Sequence, residues 1–570
     1  MSVIHRLSLA AAGLVCLVTL VSVPAMAQGR NERPNADTPR LLIATFRTAG
    51  TDARVGVEGA EALRARVQRE FSARDLLVIP RDRMNSYLIQ SGYPADSALG
   101  LEDLKLLAQN FRADAIVDGV VSKTPTGVAV TARVVLPFNL GLVQPLPVVE
   151  APTLADAAKE LERHLAEAQR SLLDFRKCSN ALATQKYGEA QAAALQGIAN
   201  YPSSTLSRLC LMDAYSREQQ PLDSIIRAAD AVLRIDPTSV LALMNLVSAY
   251  REKHDTANTL DAMRRLVVYR PDLRSDLVQL LAKMNRRKEA LLIVAEMLRE
   301  TPGDATVLKQ RWLLLLADQQ WKEALRAGAE LVRADTSTAN GDYFTRSIAA
   351  ALSDGQPLTA VEEATRAVAK FPNDAGLWVM AAQAQRKAGR YADALSSVRR
   401  ALAVDTKVEN GWSLLISIQI QNAQLDSAIL SARSALAAGA DSASIRSILA
   451  VPMALAAKHA DSSKTRQDWL AVVSLAARID STAPSADAKY FLALGAFQVG
   501  ADVLRTINEK QSCAEATLAD DMWSIASINA PLGARAGAEQ QQGAAQMLAI
   551  IQQYSDPIAK AKATLCRKRR

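Results

Sequence analysis

A period of about 34 residues constrains this chain more than any other feature, because self-similarity at a fixed interval marks a repeat architecture. The segment 375–408 reads AGLWVMAAQAQRKAGRYADALSSVRRALAVDTKV, with large Trp378, small Ala381 and Ala382, Gly389, aromatic Tyr391, and then Ala394, Val398 and Ala401. The same order returns one period later in Trp412, Leu415, Ile416, Leu425, Ala428, Ala432 and Ala435. It is present one period earlier in Phe344, Ser347, Ile348, Ala360, Ala364 and Ala367, closing on Pro372. Such a period describes one supersecondary unit repeated in a stack, in which each unit buries its apolar face only against its neighbours.

Position by position, these residues resemble the tetratricopeptide repeat (TPR). The resemblance implies pairs of antiparallel helices of about three turns, which approach closely only where Ala or Gly lies at the crossing, with bulky residues filling the gaps. Tyr187, Trp378, Gly389, Tyr391, Ala394 and Trp412 are therefore read as packing and turn residues and not as a cofactor box. Proline at the end of a unit, as at Pro202, Pro237, Pro271, Pro302 and Pro372, stops a helix and sets the turn into the next. Units are expected to begin near Ser171, Leu206, Val240, Pro271, Ala305, Gly341, Ala375 and Glu409, the fourth being shortened. The solenoid of about eight repeats then covers 171–442, and 443–570 forms divergent repeats and a helical cap with a polar insertion at 458–467.

Composition agrees with packed helices, at 49% hydrophobic and only 5% aromatic residues. The amino terminus has another character. His5 and Arg6 precede an apolar run from Leu7 to Val23, and Ala25 and Ala27 stand where a signal peptidase reads, so residues 1–27 are expected to be a secretory signal peptide cleaved before Gln28. A retained membrane anchor is the competing reading. Cys16 lacks the small residue before it that a lipoprotein signal needs and is expected to leave with the signal. Export to the periplasm, or to the extracellular or outer-membrane side, would put the remaining Cys178, Cys210, Cys513 and Cys566 where disulfides form. Three pairings are open, as are four buried free thiols. The expected pairs are Cys178 with Cys210, nearly one repeat apart on neighbouring helices, and Cys513 with Cys566, closing the carboxy-terminal region.

After a linker at 28–38, the pattern over 39–137 alternates strands and helices. LLIATF (41–46) reads as a buried strand, 57–74 as a helix, 76–79 as a strand, 82–90 and 101–111 as helices, and 115–122 with 128–136 as a hairpin turned near Thr126 and Gly127. Gly56 and Gly59 read as turn and helix-start glycines. The phrase LAQNFRADAIVDGVV followed by VAVTARVV, with Ala113 and Asp114 opening the penultimate strand, resembles the amino-terminal domain of TolB and its relatives fused to TPR arrays. That resemblance implies an envelope-facing adaptor domain without catalytic residues. Residues 138–170 read as linker and connecting helix. The fold expected is mainly α, a TPR α-solenoid preceded by a small α/β domain.

Chemistry-bearing motifs are nearly absent. The sequence has no HExxH, GxSxG elbow, P-loop or GxGxxG after the first strand, and His164, His254 and His459 lie far apart. Adjacent carboxylates such as Asp520 with Asp521, or Glu362 with Glu363, diverge on a helix. No catalytic residue, cofactor or metal site is expected, and the chain is read as a non-enzyme. The formal charge of +8 and the RKRR end at 567–570 read as solvated surface, and no nucleic-acid partner is expected. First helices of TPR pairs line the inner face, so a partner-binding groove is expected from Arg217, Met244, Arg251, Lys309, Leu313, Gln383, Arg386, Lys387, Asn410 and Gln421. Its basic members suit an acidic segment or a chain-terminal carboxylate. The leading expectation is a protein-interaction scaffold of the bacterial-type cell envelope without a retained transmembrane segment. A glycan or polymer sensor working through the α/β domain is the alternative, and an enzyme with a dispersed site is the third reading.

Overall fold

The computed structural model describes residues 38–567. The expected signal peptide, the linker up to residue 37 and the final residues 568–570 lie outside the described residues. The described chain is mainly α: a TPR-type α-solenoid preceded by a small α/β domain, with 24 α-helices and seven strands. It divides into two compact units, the first ending at Leu277 and the second beginning at Val278. No described helix is long and apolar enough to cross a membrane.

In the first unit, strands β1 (Arg40–Ile43), β2 (Arg47–Ala49), β3 (Leu77–Val78), β4 (Ala115–Thr124), β5 (Gly127–Leu136), β6 (Asn139–Pro145) and β7 (Val149–Ala151) form one sheet. Its path is β3-β1-β4-β5-β6, with β2 paired to β4 and β7 to β5. The strand β1 runs parallel to β3 and β4, and β4 turns back on β5 with Thr124 opposite Gly127. Because β1 is central, both of its faces are buried, as its unbroken apolar run requires. Leu41 and Ile43 join the core of α1 (Ala53–Glu70), while Leu42 joins Met84 of α2 (Arg81–Gln90) and Leu107 of α3 (Leu101–Phe111). Gly56 lies inside α1, where an added Cβ would stand 2.1 Å from the Phe46 carbonyl oxygen. It is thus a close-packing glycine and not the turn glycine expected.

The linker expectation also requires correction, because residues after Pro137 form β6 and β7 before α4 (Leu154–Ala183) begins. Prolines gave the segment its linker appearance. An edge strand tolerates them, and Pro145 ends β6 on the sheet's edge. Thr153 starts α4 by accepting the Asp156 backbone N–H. Leu161 and Leu165 of that helix sit in the sheet core, and Phe175, Cys178 and Leu182 continue into the first helical pair, so one 30-residue helix serves both. Its partners are α5 (Tyr187–Asn200) and α6 (Thr205–Arg217), after which α7 (Leu222–Leu233), α8 (Val240–Glu252) and α9 (Thr256–Tyr269) each pack on the helix before. The helix α10 (Arg274–Lys283) contains the unit boundary.

The second unit continues with α11 (Arg287–Glu300), α12 (Ala305–Ala317), α13 (Trp321–Ala334), α14 (Gly341–Ser353), α15 (Pro357–Lys370), α16 (Ala375–Lys387), α17 (Tyr391–Val404), α18 (Gly411–Gln421) and α19 (Leu425–Ala437). Longer helices follow: α20 (Ser442–Ser463), α21 (Arg466–Thr482), α22 (Ala486–Lys510), α23 (Cys513–Gly533) and α24 (Ala538–Arg567). Most of the expected polar insertion is helical, because Ala457 and Ala460 are buried and carry α20 forward to its left-handed end at Lys464. Small residues occupy the crossings: Ala360, Ala364, Ala367, Ala394 and Ala401 are essentially without exposure. Trp312, Tyr343, Phe344 and Phe371 form a chain of ring contacts at 5.4, 5.3 and 6.2 Å that runs from α12 through α14 to the end of α15.

Candidate protein-interaction surface

In the second unit, first helices of successive pairs touch one another, α14 with α16 and α16 with α18, leaving one side of each helix without an internal partner. Leu313 and Lys309 of α12 are exposed on that side, as are Lys387 of α16 and Gln421 of α18, with Gln383 and Arg386 half-buried. Lys387 and Gln421 are one period apart and occupy equivalent positions on consecutive first helices. The charges here are unequal. Arg346 is neutralised by Asp342 at 2.9 Å and Arg311 by Glu330 at 2.9 Å, whereas Lys309, Arg386 and Lys387 have no acidic partner among the described residues. The buried Nε of Arg386 has no acceptor, although its hydrogen is a strong donor.

Asn410 stands apart from this group. It precedes α18 in the left-handed conformation, with φ 60°, and lines a hollow of about 460 Å³ between interhelical loops beside Trp412 and Asp441. Two residues absent from the sequence-based set belong to the same helices. Gln385 and Gln419, also one period apart, each keep a buried amide oxygen without a donor, and Gln419 is only 2% exposed. The available signal was a glutamine recurring at equivalent positions of two consecutive repeats.

The first unit presents a different surface. There β6 packs on the exposed sides of α6 and α8. The Gln144 side chain is fully buried: its amide nitrogen donates to the Ser203 carbonyl at 2.9 Å and its oxygen accepts the Thr205 N–H at 2.8 Å. Gly141 lies so near α8 that an added Cβ would stand 3.0 Å from Leu241. Part of the expected groove is thus occupied by the chain's own strand. Arg217 donates to Asp213 at 2.9 Å, while Met244 and Arg251 remain exposed. Beside β6 a hollow of about 330 Å³ is floored by Phe175, Leu182 and Leu209 and bordered by Phe138, which is 67% exposed.

The residues expected to pack do so to different degrees. Ala394 is fully buried, and Tyr187, Tyr391, Trp378 and Trp412 are half-buried. Each tryptophan donates its indole N–H to a carbonyl in the preceding loop, Trp378 to Pro372 at 2.9 Å and Trp412 to Thr406 at 2.8 Å. Gly389 turns α16 into α17 at φ 75°. Disulfides join Cys178 to Cys210 and Cys513 to Cys566. His164 lies 3.5 Å from Glu160, His254 holds an exposed left-handed turn, and His459 is exposed 3.9 Å from Asp468. Among the described residues no three His, Cys, Asp or Glu side chains are grouped to hold a metal ion.

Residues 351–415 match the family model described as tetratricopeptide repeat. No curated protein matches the chain. Among solved structures, MamA from Desulfovibrio magneticus RS-1 is similar at 17% identity over 28% of this chain and 89% of its own, with a TM-score of 0.26. Naa15/Naa10 bound to HypK-THB is similar at 14% identity over 69% of this chain and 66% of that one, with a TM-score of 0.38. The TPR2AB domain of yeast Sti1, in complex with pHSP90, is similar at 16% identity over 46% of this chain and 98% of its own, with a TM-score of 0.26.

Proposed function

We propose that this chain, which carries tetratricopeptide repeats, is a non-enzymatic interaction scaffold of a bacterial-type cell envelope, holding an acidic protein segment on the free side of α12 to α18. The observation that carries the reading is the set of cations left without partners on that side, Lys309, Arg386 and Lys387, beside the exposed Leu313. Arg311 and Arg346 on first helices of the same run are neutralised locally, whereas the charge of Lys309, Arg386 and Lys387 is available to carboxylates. Side-chain amides such as those of Gln383 and Gln421 suit an extended backbone. The amino-terminal sequence supports delivery out of the cytoplasm. The order of strands and helices supports a TolB-amino-terminal-like α/β domain as a second contact surface.

Affinity capture from native envelopes, with the chain from Gln28 and a variant carrying Lys309→Ala, Arg386→Ala and Lys387→Ala, tests the reading. Both baits are first shown to melt alike. A discrete protein set held by the unaltered bait, released by moderate salt and lost by the variant, supports the scaffold and its surface together. Equal sets on both baits would move the interaction away from these helices, and capture that salt does not weaken would remove the acidic partner.

A further inference from the structure

The two disulfides differ in setting. Cys178 and Cys210 are 0% and 3% exposed within the core shared by α4 and α6, whereas Cys513 and Cys566 are both half-buried at the surface. The second bond ties the start of α23 to the last turn of α24. Along α24 the buried residues are Ala544, Met547, Ile551 and Ile558. Beyond Ile558, the Lys562 ammonium on Asp520 at 2.7 Å is the main tie besides the sulfur bridge. Pro557 also removes a rung of the helical ladder at the point where packing thins. We propose that Cys513–Cys566 is a reducible clasp, a redox modification site that decides whether the last turns of α24 remain on α23 while Cys178–Cys210 stays closed.

Local chemistry favours opening of this bridge. Cys513 is the first residue of a 21-residue helix whose N-cap, Ser512, makes no side-chain capping bond. Backbone N–H groups of that first turn are therefore available to a Cys513 thiolate, the form that leaves when the bridge is attacked. A thiolate of a dithiol reductant attacks Sγ of Cys566, the S–S bond breaks, and Cys513 departs as thiolate. The reductant's second thiol then displaces Cys566 from the mixed disulfide. The protein gains two electrons and two protons, and the reductant leaves as its own disulfide. The charged groups on the turns next to the bridge are paired among themselves, Lys562 with Asp520 at 2.7 Å and Lys510 with Glu515 at 3.8 Å, and Glu515 is also held by Arg466 at 2.8 Å. Once α24 is released from Pro557 onward, Ile558 leaves the apolar cluster it shares with Val503 and Ala519, each 0% exposed while the clasp is closed.

Graded dithiothreitol followed by differential alkylation and mass spectrometry tests the clasp on the full chain. Cys513 and Cys566 should be labelled about tenfold or more faster than Cys178 and Cys210. Hydrogen exchange should then lose protection over 557–567 and around Ala519, and nowhere else. A Cys566→Ser chain kept oxidised should give the same exchange pattern without reductant. Simultaneous opening of both disulfides would overturn the proposal, as would labelling of Cys513 and Cys566 with exchange over 557–567 unchanged.

Discussion

At the scale of single residues, the turn within each helical pair shows how little glycine the repeat demands. Gln185, Gln219, His254, Asn285, Gln319, Gly355, Gly389 and Ala423 all hold positive φ, between 57° and 75°, at the same place in their pairs. Only two of these eight are the residue that adopts this conformation without steric cost. Ala423→Gly should therefore stabilise the chain by about 1 kcal/mol in denaturant unfolding, and Gly389→Ala should cost about the same. Burial sorts the tryptophans in the same way. Trp312 is 3% exposed and Trp378 only half-buried, so Trp312→Ala should cost about 3–5 kcal/mol and Trp378→Ala distinctly less, read from the shift of the urea midpoint. Glu363 supplies a pH signature. Burial pushes its carboxyl above the ordinary carboxylate range, against the opposing Arg366 guanidinium at 2.7 Å, and one of its oxygens has no donor. Its contribution to stability is then present at low pH and lost as pH rises through its raised value. Glu363→Gln should melt higher than the parent at pH 8, with the gain disappearing near pH 4.

At the scale of elements, the boundary between sheet and repeats rests on Gln144. Replacing it with Leu strands the Thr205 N–H and the Ser203 carbonyl, and each buried group left unpaired costs about 1–3 kcal/mol. Limited proteolysis should then cut first near 137–153. Elements that carry a period were legible in the sequence. Ala375, Gly341, Ala305 and Val240 begin helices where the repeat pattern places units, because small residues at crossings leave a regular mark. By contrast β6 was hidden, since Pro137, Pro145, Pro147 and Pro152 give an edge strand the composition of a linker. Gly56 was misassigned for a related reason: helix-internal and turn glycines look alike until Phe46 is seen against this one. The candidate surface was legible as a helical face. The choice of residues within it was not, because whether a cation such as Arg346 or Lys387 is already neutralised depends on its neighbours in space.

At the scale of the whole molecule, the chain forms two compact units, and the first runs without a break from sheet to helical pairs. The sheet core and the first repeat share α4, and no loop separates them where a domain boundary near residue 170 was expected. Cross-links occur near either end of the described helical array, spanning 32 and 53 residues. Seen as a filament under tension, the chain has two lengths that pulling cannot draw out. Stretched by its termini, it would withhold about 115 Å behind Cys178–Cys210 and about 190 Å behind Cys513–Cys566, at roughly 3.6 Å per residue. Force spectroscopy with and without reductant should return those increments as added contour. The second should appear under milder reduction, so the chemical state of one surface bond would set how far the molecule can reach.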